Sequence, residues 1–376
     1  MDSITAIATT TSTAIATTTS TALWTLLVHN IFDYIDSDFK LLIHREGSTD
    51  EERAKILSIE MIMRSGLEDY FQHVLLSRRF KDELCYQAAK RGYVSTLKWA
   101  REIGCNWSCK VCTVAAANGN LDCLMWAVGN GCNWYSDTCT AAAGGGHLDC
   151  LKWAREHGCN WDQDTCKAAA GYGHLECLIW AKENGCPYDL NTCYHAAFGG
   201  HLDCLKWARE NGIEWNSGTC SGAAYGGHLD CLIWARKNGC DWNSSVCSGA
   251  AHGGHLHCLK WAIENGCEMS VTTIYSAIEG GHLDCLKWAT ANGCLLDKDV
   301  CFLAAFSGHL DILIWAREKK RPWDYKICNI AAEKGYLDML VWARENGCDW
   351  KPDDCRELAQ RRNRHKILDW MTSIGF

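Results

Sequence analysis

The sequence predicts an all-α fold, a solenoid of about 11 helix–turn–helix repeats. Gly stands seven residues before each of ten regularly spaced Trp residues and, in nine of the ten copies, five residues after it. Only three Pro occur in 376 residues, which suits helices because Pro lacks the amide proton that a helix interior needs. An eleventh copy ends at Trp370, after a step of 28 residues. The ten Trp follow one another at intervals of 27 residues, at Trp99, Trp126, Trp153, Trp180, Trp207, Trp234, Trp261, Trp288, Trp315 and Trp342.

Each period contains a longer helical pattern, which in one copy covers about residues 147–157. Charged residues fall on the opposite side from the apolar ones, at helical spacing. An acid stands in the first turn and Gly follows the end, as the helix dipole and the left-handed C-terminal position favour. The apolar face of this copy consists of Leu148, Cys150, Leu151, Trp153 and Ala154.

A shorter helical pattern, about residues 136–145 in the same copy, precedes the longer one. Cys139, Ala142 and Ala143 form its buried stripe, and such small residues allow two helices to approach closely. Ser, Asp or Asn stands nine residues after Trp in eight of ten copies, where it would cap the helix. Neither helix can bury its apolar face alone, so neighbouring pairs are expected to stack.

The repeated phrase resembles the ankyrin repeat family. "DTCTAAAGGGHLDCLKWAREHGCN" (Asp137–Asn160) matches the family phrase without gaps, with the Ala pair and the Gly-His in register. Ankyrin repeats have about 33 residues and a β-hairpin finger, so about six residues are missing and the fingers are expected to be truncated. The chain resembles the short ankyrin-like arrays of algae and large DNA viruses. The resemblance implies a protein-binding scaffold without catalysis.

Three regions are predicted: a low-complexity Thr-rich segment (1–22), a helical N-terminal cap (23–81) and the repeat array (82–373). Within the cap, "LLVHNIFDYID" (Leu26–Asp36) resembles the start of an F-box, a module that docks proteins onto ubiquitin ligases. Residues 23–45 therefore suggest an alternative function for the protein, that of a substrate adaptor of a ubiquitin ligase. A plain capping helix is the simpler interpretation.

Composition argues against several classes of partner. A net charge of −8 and a pI near 6.0 disfavour nucleic acid, and residues 3–28 contain ten Thr, too polar for a membrane span. We expect an intracellular, cytoplasmic protein without a cofactor, a small-molecule substrate or a catalytic site. "REKKR" (Arg317–Arg321) leaves a nuclear location open.

All of the 26 Cys except Cys109 occupy three register positions, and Ile or Met replaces them at Ile213, Ile274, Ile312 and Met339. That exchange indicates apolar packing, since free Cys behaves as a small hydrophobe. Cys residues of neighbouring repeats are expected about 8–10 Å apart, beyond the ~7 Å limit for a disulfide. We therefore predict reduced thiols and no metal.

His also recurs, seven times at a spacing of 27 residues from His147 to His309. One zinc ion needs ligands that converge at about 2 Å, which a row stepped by one repeat does not provide. The pattern indicates instead a hydrogen bond that ties adjacent turns.

Partner binding is expected at positions that vary strongly between repeats. These are the positions 14 and 18 residues after each register Trp, both on the shorter helix. By resemblance, the second of these positions lines the concave groove of ankyrin proteins, and aromatic residues there are typical of binding hot spots. An alternative interpretation is that these rings pack between helices. The candidate partner-binding residues, with two neighbours of the row, are Lys167, Tyr172, Tyr194, Phe198, Tyr225, His252, Tyr275, Glu279, Phe302, Phe306, Glu333 and Lys334.

Overall fold

The computed structural model describes residues 78–102, 104–108 and 110–376. The predicted Thr-rich segment, the F-box-like segment and the cap up to residue 77 lie outside the described residues. The described residues fall into two compact units. The first contains residues 78–89 and 93–108, and the second contains residues 90–92 and 110–376.

The described residues form 22 α-helices and no β-strand, which confirms the predicted all-α fold and its lack of hairpin fingers over this part of the chain. The helices alternate as first and second members of pairs. The first helices are α1 (Arg78–Arg91), α3 (Lys110–Ala117), α5 (Ser136–Gly144), α7 (Gln163–Gly171), α9 (Asn191–Phe198), α11 (Ser217–Gly226), α13 (Ser245–Gly253), α15 (Val271–Glu279), α17 (Val300–Ser307), α19 (Lys326–Lys334) and α21 (Pro352–Arg361). The second helices are α2 (Val94–Glu102), α4 (Leu121–Gly129), α6 (Leu148–Glu156), α8 (Leu175–Glu183), α10 (Leu202–Glu210), α12 (Leu229–Lys237), α14 (Leu256–Glu264), α16 (Leu283–Ala291), α18 (Leu310–Glu318), α20 (Leu337–Glu345) and α22 (His365–Ser373).

In the first unit, α1 and α2 bury small and aliphatic side chains. Leu84, Cys85 and Ala88 on α1 are buried, as are Leu97 and Ala100 on α2. This is the same apolar pattern that the repeat predicts for each helix pair.

The first helices of the second unit begin and pack as the repeat predicts. Asp162 caps α7, since its side chain accepts a hydrogen bond from the Asp164 amide at 2.9 Å. Cys166, Ala169 and Ala170 are buried on the same helix. Because these side chains are small, successive first helices of this unit lie closer together than successive second helices.

The second helices bury Cys, Leu and Ala but not the whole of their Trp. On α10, Cys204, Leu205 and Ala208 are buried, whereas Trp207 is half-buried. The predicted apolar face is therefore correct in position, but its largest member lies at the edge of the core. Among the register Trp residues whose side chains are described, Trp315 alone is buried.

Gly ends the second helices as predicted. Gly212 has a φ of +80°, and after it the Ile213 amide donates to the Ala208 carbonyl at 2.9 Å. This bond satisfies a carbonyl that the end of α10 would otherwise leave without a partner. At the corresponding place after α18 stands Lys320, with a φ of +57°.

The His column ties successive pairs together, which confirms the predicted hydrogen bond. His309 Nε2–H donates to the Glu279 carbonyl at 3.2 Å, 30 residues earlier. The ring lies against Gly281, where φ is +78° and a Cβ atom would overlap it. Two repeats later, after the inserted residue, Arg364 Nε donates to the Glu333 carbonyl at 3.0 Å. The Gly-His phrase is therefore a joint between neighbours.

The cysteines that the structure describes are thiols, and all of them are buried except Cys294, which is half-buried. Burial matches the predicted apolar role. Some thiols nevertheless have polar partners, because Cys240 Sγ–H donates to the Asn216 carbonyl at 3.2 Å. Cys at this position therefore contributes a weak donor as well as bulk, which the exchange with Ile did not indicate.

Candidate partner-binding surface

The variable residues of the first helices lie on the side opposite the buried stripe. On α9, Tyr194 and Phe198 are four residues apart and therefore share one side of the helix. Cys193, Ala196 and Ala197 are buried on the other side. The exposed fraction of Phe198 is 38%, so a third of a large apolar ring reaches the surface.

Four of the candidate residues form one continuous stack of rings over three successive first helices. Tyr194 and Phe198 lie nearly parallel at 6.1 Å between ring centroids, and Phe198 and Tyr225 follow at 5.5 Å. Tyr225 and His252 continue the stack at 5.3 Å with a tilt of 33°. We call Tyr194, Phe198, Tyr225 and His252 the aromatic face. Because ring stacks on ring, these side chains present mainly their edges and hydroxyl groups to solvent.

A glycine on the neighbouring helix makes room for the first ring of the stack. A Cβ atom at Gly222 would lie 2.9 Å from Cδ2 of Tyr194, closer than carbon atoms pack. The Tyr194 ring therefore lies across the backbone of α11. This part of the ring packs between helices, so the aromatic face is both a packing element and a surface.

The aromatic face carries no formal charge. Helices α9, α11 and α13 contain no Asp, Glu, Lys or Arg, whereas each second helix paired with them contains several charged residues. His195 lies beside the face on α9, and burial together with Lys167 lowers its pKa below the ordinary value. A low pKa keeps this imidazole neutral near pH 7.

A second group of candidate residues lies further along the chain. Phe302 and Phe306 stack at 6.3 Å on α17, and the Lys334 ammonium lies 4.5 Å from the Phe306 centroid. Between the two groups, the Tyr275 hydroxyl donates to the Asp297 carboxylate at 2.5 Å. Glu279, on the last turn of α15, is exposed. The structure therefore separates the row into two aromatic groups.

The remaining candidates already have partners or stand alone. Lys167 is half-buried and forms ion pairs with Asp164 at 3.1 Å and with Asp189 at 3.3 Å. Glu333 pairs with Arg362 at 2.8 Å, and this bond lowers the pKa of its carboxyl. Tyr172, at 68% exposed, projects from the end of α7 beside Gly144 of the preceding pair.

The structure also contains a row of Trp pairs that the sequence reasoning missed. Trp242, in the turn after α12, packs edge-on against Trp261 of the next pair at 5.7 Å. The Arg236 guanidinium lies 4.5 Å from the Trp242 centroid, so Trp242 contacts both an Arg and a Trp. The Trp that stands eight residues after many register Trp residues was the available signal. The pairs are Trp134–Trp153, Trp161–Trp180, Trp215–Trp234, Trp242–Trp261, Trp323–Trp342 and Trp350–Trp370, with centroids 5.5 to 6.0 Å apart.

Two kinds of site were sought among the described residues. No group of three or more His, Cys, Asp or Glu side chains there is placed to hold a metal ion. No helix there is long and apolar enough to cross a bilayer.

Comparison with known proteins finds similarity among solved structures. No protein-family model matches the chain, and no curated protein matches it. Among solved structures it is similar to the ankyrin repeat domain of human ASB11, with 20% identity, a TM-score of 0.35, and coverage of 42% of this chain and 85% of that one. Since so low a TM-score carries no weight by itself, the fold assignment rests on the helices. Their regular pairs form an all-α solenoid of short helix–turn–helix repeats.

Proposed function

We propose that this chain is a non-enzymatic scaffold for protein–protein interaction, and that its partner binds the aromatic face. The observation that carries the proposal is the four-ring stack on α9, α11 and α13, on a surface without formal charge. Large rings held in one arrangement lose little conformational freedom on binding. They therefore offer contact area at a low entropic cost.

The chemistry of the face indicates an uncharged partner segment. A charged side chain buried against it would lose its hydration without gaining a counter-charge. Around the rings stand Ser and Gly, such as Ser221, Gly222, Ser248 and Gly249, which resemble the mixture of Tyr, Ser and Gly in antibody binding sites. We expect a peptide segment with aromatic or aliphatic side chains and few charges. Backbone groups of that segment can bond to the Tyr and Ser hydroxyls.

The second aromatic group extends the proposed surface. Phe302 is 41% exposed and Phe306 is 51% exposed, so both have apolar area left for a partner. Lys334, however, already covers one side of Phe306, and Phe302 lies on the other. Binding there would involve ring edges, as on the aromatic face. A long partner could contact both groups in succession.

The proposal can be tested with a phage-displayed library of random peptides selected on the full-length protein. Peptides that bind are then measured against a Phe198→Ser/Tyr225→Ser variant. We expect selected peptides to be apolar and poor in charge, and the double variant to bind them at least tenfold more weakly, as loss of hot-spot residues does. Glu210→Ser/Lys237→Ser, on the second helices of the neighbouring pairs, is the matched control and should bind normally.

Two outcomes would contradict the proposal. Peptides that bind both variants equally would place the binding surface elsewhere. If the Phe198→Ser/Tyr225→Ser variant loses much of its thermal stability while the control does not, the rings act mainly in packing. Circular dichroism melting of all three proteins separates that outcome from a loss of binding alone.

A further inference from the structure

Pairs of thiols lie in contact inside individual helix pairs. Cys247 Sγ–H donates to Cys267 Sγ, and the two sulfurs are 3.4 Å apart and buried. The cysteines in question are 20 residues apart, one from the first helix and one from the turn after the second. In four equivalent pairs the two thiols are also close enough for one to raise the pKa of the other: Cys139–Cys159, Cys166–Cys186, Cys220–Cys240 and Cys328–Cys348.

The fold itself builds each pair of thiols. Cys247 belongs to the buried stripe of α13, and Cys267 follows Gly266, whose positive φ turns the chain at the end of α14. The Cys267 thiol in turn donates to the Asn243 carbonyl at 3.3 Å. Both sulfurs are therefore held in place by separate elements of the same helix pair. The expected distance between neighbouring repeats does not apply to them, because they belong to one repeat.

We infer that these thiol pairs are modification sites, at which a peroxide oxidant forms a disulfide within one helix pair. The turn cysteine reacts first: its thiolate attacks hydrogen peroxide, which gives a sulfenic acid and water. The first-helix thiol then gives its proton to the hydroxyl group of the sulfenic acid as its sulfur attacks, which forms the S–S bond and releases a second water. Two thiols lose two electrons, and peroxide takes up the electrons and both protons.

Geometry favours this reaction over oxidation elsewhere in the core. A disulfide needs a sulfur–sulfur distance of about 2.05 Å, so the contact at 3.4 Å has to shorten by little more than 1 Å. The turn member is also the more accessible one, since Cys267 is 5% exposed and Cys247 is fully buried. Cys348 and Cys328 show the same difference. The turn sulfur is therefore the one that peroxide meets.

The cysteines of the second helices offer a contrast within the same protein. Burial raises the pKa of Cys204 and of Cys285 to about 11, and a nearby carboxylate adds to each shift. Within the described part of the chain, neither of these two thiols is in hydrogen-bond contact with a second cysteine, so neither has a partner there with which to form a disulfide. They should stay reduced while the paired thiols oxidise.

Two first-helix cysteines serve as natural controls, because the residue at the turn position of their repeat is not a cysteine. Cys193 lies against Ile213, with its Sγ 3.8 Å from the Ile213 carbonyl oxygen, and Cys301 lies in the same way against Arg321. Both are as deeply buried as Cys247. They differ from the paired thiols in lacking a second sulfur at that place.

The experiment is peroxide treatment of the folded, full-length protein, followed by alkylation of the remaining thiols and peptide mapping by mass spectrometry. We expect Cys247–Cys267 and the four equivalent cross-links, with Cys193 and Cys301 alkylated. Ile213→Cys should add a cross-link between Cys193 and the new residue. Circular dichroism before and after treatment shows whether the protein stays folded.

Three results would overturn the inference: equal oxidation of Cys193 and Cys247 in the folded protein, cross-links that join different helix pairs, or paired thiols that stay reduced until the protein unfolds. The wild-type comparison of these two residues stands even if the Ile213→Cys variant does not fold. Oxidised protein should also show a higher melting temperature that returns to its starting value on reduction, because each cross-link restricts the unfolded chain.

Discussion

The first and second helices of the pairs differ in how much their outward residues vary between repeats. On the first helices α9, α11 and α13, the outward residues vary from one repeat to the next and none is charged. On the second helices, the same phrase recurs with little change, as in α6 and α10, which are both LDCLKWARE. One buried core of Cys, Leu and Ala supports both sides. The fold therefore leaves one side free to vary.

Contacts between neighbours explain the constancy of the second side. Trp242 packs on Trp261 of the next pair, while Arg236 of its own pair covers its other side. A repeat within a run of such pairs therefore supplies one Trp on its second helix and another in the turn after it, although Tyr188, Met269 and Leu296 take the turn position in three repeats. A change in one repeat disturbs its neighbour, which limits variation. Rings of the aromatic face contact one another too, but Ser and Gly in other repeats fill those places without loss of the helices.

The largest effect is expected in the core that both sides share. Leu205→Ala removes a fully buried side chain from α10 and should lower the free energy of unfolding by about 2–5 kcal/mol. Phe198→Ser, on the exposed side of the adjacent α9, should change it far less. Urea unfolding of both variants, followed by circular dichroism, checks the difference. Similar losses in the two variants would mean that the aromatic face belongs to the core.

An intermediate effect is expected at the Trp pairs. Trp234 is half-buried, so Trp234→Ala should cost about 2 kcal/mol, less than the deletion of a fully buried Leu. The double variant with Trp215→Ala should reveal a coupling of about 0.5–1.5 kcal/mol, because the rings lie 5.6 Å apart. Strictly additive losses would show that the contact contributes nothing. Peptide binding to the aromatic face should be unchanged in all three variants.

The smallest effect is expected from the His column. Burial and the neighbouring His228 lower the pKa of His201 in the folded protein below its ordinary 6.5. The folded state therefore favours the neutral ring, and its contribution is complete above pH 6.5 and is lost as the pH falls through the lower, folded value.

The contribution of the His column can be checked by measuring the free energy of unfolding at pH values between 7.5 and 5. His201→Asn should weaken this pH dependence, because Asn120 at the equivalent position donates from Nδ2 to the Lys90 carbonyl at 2.9 Å and does not titrate. A pH dependence identical to that of the wild type would assign it to other groups. His195 and His255, whose pKa values burial also lowers, remain in the variant and contribute to the residual slope.

Much of this molecule followed from spacing alone. The period of 27 residues, the two helices per period, the caps at Asp162 and Asn216 and the buried Cys, Leu and Ala positions depend on contacts within one repeat. Such contacts are set by helix geometry, which a sequence displays directly. The hydrogen bond of the His column was also predictable, because His recurs at one position in seven successive copies.

The tertiary structure decided which side chains of different elements meet. Spacing placed Tyr194, Phe198 and Lys167 on the first helices, but it did not show that the two rings stack with Tyr225 while Lys167 is held by two carboxylates. The rotation and distance between successive helices determine these contacts, and the period of the repeat specifies neither of them. For the same reason the exposed edge of Trp207 and the contact between the Cys247 and Cys267 sulfurs emerged only from the packed pairs.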